Sequence, residues 1–250
     1  MSGHSRWSQI KRKKGKADVQ RGKLFSKILR EITVAAKNGG GDPKANMHLK
    51  AAVESAREAN MPQENIKRAI QKGTGELPGE SYEEITYEGY APGGVAVLVQ
   101  VLTDNRNRTG PEIRRVFEKH GGHTGSAGAV AWMFERKGVI QVDAEKIGED
   151  DLLAKALDAG ATDMRRAEKA FEITTTPAEM DVVREALTKA GAPVLEAQVS
   201  FVPKSTVKVE SKGAASVLRL IEALEDLDDV QSVYANYDIP DEVLEAIAAA

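Results

Sequence analysis

The sequence holds no cysteine. That excludes disulfides, thiolate nucleophiles and cysteine-type zinc sites together, and it suits a reducing compartment. Aromatic residues make up 5% of the chain, so its cores have to be built from Ala, Val, Leu and Ile. No apolar run reaches the roughly 18 residues that a membrane span needs. The stretch MSGHSRWSQI lacks the apolar segment of a secretory signal. A cytoplasmic protein free of membrane attachment is expected. The P-loop, the nucleophile elbow and the zinc-protease helix motif are all missing. The histidines show no acid–base pattern, and pairs such as Glu83-Glu84 and Asp150-Asp151 read as caps or exposed faces. The expectation is a protein that is not an enzyme, with no cofactor, no metal and no small-molecule substrate.

What is present is charge, unevenly placed. The net charge is −3 over 250 residues. Residues 1–80 carry +9, and residues 81–250 carry −12. From Arg6 to Arg30 there are ten basic residues, Arg21 among them, against one acid, Asp18. Such asymmetry points to a polyanion-binding end. Residues 2–20 are polar and weakly periodic, and they read as an arm that is ordered on a partner. Lys11, Arg12, Lys13, Lys14 and Lys16 offer cations for phosphates, with Trp7 nearby to stack on a base. The competing reading of the arm is a solvated charge run.

From Gly22 the periodicity predicts a helix with Phe25, Ile28, Leu29, Ile32, Ala35 and Ala36 on one face. Lys23, Lys27, Arg30 and Lys37 fall on the opposite face as a cationic stripe. Gly39-Gly40-Gly41 ends this helix, and Asp42-Pro43 reads as the cap and first turn of the next. A third helix follows Met61-Pro62. These three predict a small helical bundle, with residues 73–81 as its linker. Beyond it, strands and helices alternate. ITYEGY, VAVLVQVLT (95–103), AVAWMFE (129–135), VIQV, AFEITTT, EAQVSFV, TVKVE and VQSVYANY read as strands, and helices fall between several of them. The expected fold class is multidomain, α and α+β. A basic arm plus three-helix domain at 1–79 precedes a discontinuous α+β domain (80–136 and 205–250), into which an α+β domain at 137–204 is inserted.

Two loops hold further candidates. Residues 103–109 follow the apolar strand, where ligands often bind, and Arg106 and Arg108 there are placed to grip phosphates. The alternative is a polar turn with Thr109 as a helix cap. HGGHTGSAG (120–128) brings His120 and His123 close, but a closed metal site normally needs about four ligands. Its GHTG is a weak match to the loop of KH domains, and a glycine turn is the better reading.

GHSRW with its lysine-rich arm, RGKLFSKILREITVAAKNGGGDPKAN, NMP with IKRAIQKG, YEGYAPGGVAVLVQVLTDNRNRT and AVAWMFERKG together resemble the YebC family, which includes the mitochondrial translational activator of cytochrome oxidase. The resemblance covers most of residues 3–138 and weakens beyond. It implies three domains, the first helical and the third inserted, and a regulator of gene expression. Family members are described both as DNA-binding transcriptional regulators and as ribosome-associated factors that help synthesis of proline-rich stretches. A lysine stripe grips backbone rather than reading base edges, which favours ribosomal or structured RNA and a translation factor over sequence-specific DNA binding. A DNA-binding transcriptional regulator is the alternative, and an enzyme with a site near residues 103–125 is the alternative of another class.

Overall fold

The computed structural model describes residues 17–167 and 169–249, and its contacts divide into two compact units. One unit comprises residues 131–208 with 234–238; the other takes the rest of the described chain, so the first interrupts the second in sequence. Among the described residues no helix is long and apolar enough to cross a membrane.

The larger unit begins with three helices, α1 (Ala17–Gly39), α2 (Met47–Glu58) and α3 (Gln63–Thr74). The apolar face expected of α1 is the one it buries. Ile28, Ile32, Ala35 and Ala36 join Leu49, Ala52, Val53, Ala56, Met61, Ile66 and Ala69 in one core, with Phe25 and Leu29 half-buried beside it. Within the described residues α1 is already helical at Ala17, five residues before the expected start. Gly40 (φ +86°) ends it. The next cap differs from the expectation. The Asp42 carboxylate accepts from the Lys44 amide of a turn (2.9 Å), and Asn46 caps α2 by accepting from the Leu49 amide (3.1 Å). The Asn46 side chain also donates to Ala35 O (2.8 Å) and Gly40 O (2.9 Å), so one buried amide fixes the end of α1 and the start of α2 together.

The helix α1 crosses α3 at Gly73. A Cβ there would meet Thr33 O at 2.4 Å and Ala36 Cβ at 2.7 Å. The obstructing atoms are backbone and a helix methyl, which have nowhere to go. Gly73→Ala is expected to push the helices apart and to lower stability by about 1–3 kcal/mol. Urea denaturation with an unchanged slope checks this; a midpoint equal to wild type refutes the close crossing.

The same unit continues with the hairpin β1 (Glu83–Ala91) and β2 (Val95–Thr103), antiparallel and in register from Glu83↔Thr103 to Ala91↔Val95. Gly93 and Gly94, at φ +82° and +76°, make the turn. Strand β2 is buried at every position but Gln100, as its apolar, β-branched run predicts. Helix α4 (Arg106–Lys119) follows, then the two-residue β3 (His123–Thr124). Its cap is Asn105, which accepts from the Arg108 amide (3.1 Å), and not Thr109. Helix α7 (Ser211–Glu225) packs against α4, and β9 (Val230–Ala235) completes a sheet of order β3-β1-β2-β9. The closing helix α8 spans Asp241–Ala249.

The other unit runs β4 (Phe134–Asp143), α5 (Glu149–Asp158), β5 (Asp163–Ala167), β6 (Ala170–Thr175), α6 (Met180–Lys189) and β7 (Val194–Pro203). The sheet order is β5-β6-β4-β7, all antiparallel, which is the split β-α-β topology. Ile140, Val142, Phe171 and Ile173 meet Leu152, Ala156, Val183 and Leu187 of the helices in its core. The expected strand at 129–135 is instead a 3-10 turn (Ala131–Met133) running into β4, which continues through the stretch assigned to a second strand. Strand β5 had no expectation, because DMRRA carries too much charge to read as one. The short β8 (Val207–Lys208) pairs in parallel with β10 (Tyr237–Asp238) in this unit.

Candidate nucleic-acid interface

Arg6, Trp7, Lys11, Arg12, Lys13, Lys14 and Lys16 lie outside the described residues. Arg21 is exposed, with its guanidinium over the Phe25 ring at 5.5 Å. The stripe expected to face solvent on α1 does not do so as a whole. Lys23 Nζ donates to Asp226 O (3.1 Å) and pairs with the Asp226 carboxylate (3.3 Å). Lys27 Nζ donates to Glu225 O (2.8 Å), and Arg30 donates to Asp228 O. The last carbonyls of a helix lack partners along the helix and carry its partial negative charge. The α1 cations supply donors to the C-terminal end of α7, so intramolecular docking takes part of the stripe.

The docking centres on Asp229, a side chain that is 5% exposed. It accepts from Thr109 Oγ1 (2.6 Å), Arg108 NH2 (2.7 Å) and Thr103 Oγ1 (3.1 Å), and pairs with Arg30 (3.3 Å). Burial alone would raise its carboxyl, but the hydrogen bonds from Arg108, Thr109 and Thr103 outweigh this and hold it below the usual aspartate value. The Arg108 guanidinium is correspondingly held above its ordinary value by Asp229 and Asp104. The two ends of the loop at 103–109, the buried Thr103 and Thr109, therefore form with Asp229 a polar junction joining α1, β2, α4 and the turn before β9, while residues 104–108 between them are exposed. Arg106 and Arg108 are not brought together as a phosphate clamp: Arg108 points into the junction, and Arg106 is exposed on the first turn of α4.

The glycine loop is likewise structural in its described contacts. The buried Glu88 carboxylate accepts from the Gly128 amide (2.6 Å) and the Val130 amide (2.6 Å), and Glu88 O accepts from the Gly125 amide (2.8 Å). His123 stacks on Tyr90, with ring centroids 5.5 Å apart. Among the described residues no group of three or more His, Cys, Asp or Glu is placed to hold a metal.

The cations left facing solvent lie elsewhere in the bundle. The side chains of Lys44, Lys50, Arg57, Lys67, Arg68 and Lys72 have no hydrogen bond or ion pair to the described residues. Arg68 and Lys72, one turn apart on α3, edge a cleft of about 640 Å³. Its other lining includes Leu29, Arg30, Asn65, Ala69, Pro78 and Tyr82, and Arg30 lies over the Tyr82 ring at 5.7 Å. Sequence reasoning missed these α3 residues. The signal was the i, i+4 spacing of Arg68 and Lys72 in IKRAIQKG, with Asn65 three residues before Arg68 on the same face.

Residues 5–76 match the family of TACO1/YebC N-terminal domains, and residues 82–237 match the TACO1/YebC second and third domains. A relative from Dictyoglomus turgidum, named a probable transcriptional regulatory protein, is 54% identical over 249 residues, covering 99% of this chain and 100% of its own. Another of that name from Pelotomaculum thermopropionicum is 56% identical over 243 residues, covering 96% and 100%. A crystal structure of a conserved hypothetical protein from Aquifex aeolicus superposes with a TM-score of 0.83 at 53% identity, covering 92% of this chain and 95% of that one.

Proposed function

The chain belongs to the TACO1/YebC family, and from that premise we propose that it is a non-enzymatic, nucleic-acid-binding regulator of gene expression whose helical domain grips backbone phosphates. The observation carrying this reading is the set of bundle cations without described partners, at the positive end of an otherwise acidic chain. The relatives' names support DNA as the ligand and transcription as the level of control, ahead of the translation role favoured from sequence. Part of the cationic stripe of α1 is neutralised within the chain, while the open face of α3 adds Asn65, a side-chain type able to contact a base edge, beside the phosphate-binding Arg68. Ribosomal or structured RNA remains the second reading. Lys44, Lys50, Lys67 and Lys72 outnumber those side chains, and lysines act on phosphate.

Fluorescence anisotropy with a DNA duplex, its scrambled version and a structured RNA, each over a salt series, tests the proposal. Log affinity is expected to fall with log salt with a slope of about −4 to −7, since each neutralised phosphate contributes about 0.7–0.9. A shallow slope for every ligand removes phosphate contact as the mode of binding. Preference for RNA at physiological salt gives the second reading the lead; a thousandfold preference for one duplex over its scrambled form marks a sequence-specific transcription factor.

A further inference from the structure

We propose that the cleft between α1 and α3 seats one nucleotide unit, with its base against the apolar wall and its phosphate on Arg68 and Lys72. The inference rests on the nucleic-acid reading above and makes it specific: the ligand has to present a base outside a duplex stack. Three features of the cleft carry it.

The first is size. About 640 Å³ lies within the range of roughly 300–1,000 Å³ in which proteins hold small ligands. A phosphate alone needs no cavity of that volume; a base with its sugar does. The second is the division of the lining. Leu29, Ala69, Leu77 and Pro78 give an apolar wall, while Asn65, Arg68 and Lys72 share one face of α3. A nucleotide has this same division into a flat apolar ring and a charged group. The third is the state of the cations. The side chains of Arg68 and Lys72 are exposed and make no ion pair or hydrogen bond with the described residues, unlike Lys23, Arg30 and Arg108.

One carboxylate also lines the cleft. Glu80 accepts from Tyr82 Oη (2.6 Å). It repels a phosphate placed beside it, which favours a ligand whose phosphate sits on the Arg68 and Lys72 cations. The amide of Asn65 is placed to serve a base edge or a sugar hydroxyl.

The experiment uses the full chain and three probes: a short single-stranded oligonucleotide carrying 2-aminopurine, the same oligonucleotide as a duplex, and AMP. Wild type is expected to bind the single strand more tightly than the duplex and to change the 2-aminopurine emission as the base leaves solvent. Arg68→Gln with Lys72→Gln is expected to weaken single-strand binding by about tenfold or more and to reduce the salt slope by about 1.5. Ser26→Trp fills the cleft from an exposed position on α1 without altering charge. It is expected to weaken the single strand by about tenfold and abolish the emission change, with the salt slope intact. Lys44→Gln with Lys50→Gln, away from the cleft, is expected to lower the slope and keep the emission change. Displacement of the strand by AMP identifies the free nucleotide as a sufficient ligand; resistance to AMP assigns the site to a polymer. Melting curves confirm that each variant is folded. The cleft is overturned if folded Ser26→Trp retains both affinity and emission change. If wild type binds no nucleic acid at any salt, the function proposed above fails first; if it binds but the cleft variants match wild type, only the cleft fails.

Discussion

Asp229→Asn is expected to cost about 3 kcal/mol of stability at neutral pH, near the lower end for breaking a buried ion pair. The carboxylate is 5% exposed and serves Arg108, Arg30, Thr103 and Thr109. The amide keeps the shape but turns one acceptor into a donor, against neighbours that mostly donate. Arg108 is 49% exposed and can turn to water, which keeps the loss below the fully buried limit. The variant should also change the acid limb. A carboxyl whose folded pKa lies below its unfolded value contributes stability that is fully present above the unfolded value, about 3.9. That stability is lost as pH falls through the lower, folded value. Wild type should therefore lose stability between about pH 4 and the folded value, and Asp229→Asn should lack that part of the slope. Urea denaturation at pH 7 and at steps below pH 4.5 measures both; parallel curves for the two proteins would show that Asp229 is not a linked group. The junction joins the helical bundle to the sheet within one unit, so the variant's melt should also broaden as the two parts lose cooperativity.

Glu88→Ala carries the second large effect. The carboxylate is the acceptor for the amides of Gly128 and Val130, and Val130 is fully buried. Stranding a buried donor costs about 1–3 kcal/mol; the Val130 amide is such a donor, while the amide of the exposed Gly128 can turn to water, so the loss should be about 1–3 kcal/mol. Glu88→Gln retains one acceptor oxygen and should fall between. Hydrogen exchange separates this from a general loss of packing: the amides of 125–130 should exchange faster by a larger factor than those of β2. Uniform acceleration across both segments would refute a local clamp. The segment HGGHTGSAG is thus held by a carboxylate some forty residues earlier in the chain, a partner with no signature in the segment itself.

Local physics made much of the fold legible in the sequence. The i, i+3, i+4 spacing of Ile28, Ile32, Ala35 and Ala36 identified the buried face of α1, because helical periodicity alone decides which side chains share a side. The apolar, β-branched run of Val95–Thr103 marked a buried strand, and Gly93-Gly94 marked its turn, because only glycine adopts positive φ without strain. Charge asymmetry marked the basic end by counting alone. What local patterns did not contain was the pairing of side chains across long separations. Lys23, Lys27 and Arg30 read as an open stripe because their acceptors lie about two hundred residues away, at the end of α7. Asn46 displaced Asp42 as a cap because the turn at 43–45 places its amide between two helices. Arg68 and Lys72 were ordinary surface cations until the packing of α3 on α1 opened a cleft beside them. The sequence by itself determined which faces are apolar and which end is positive, since both follow from residue type and spacing. Only the tertiary structure decided which cations are neutralised within the chain and which remain for a ligand, since that depends on which distant carboxylates and carbonyls the fold brings within hydrogen-bond reach.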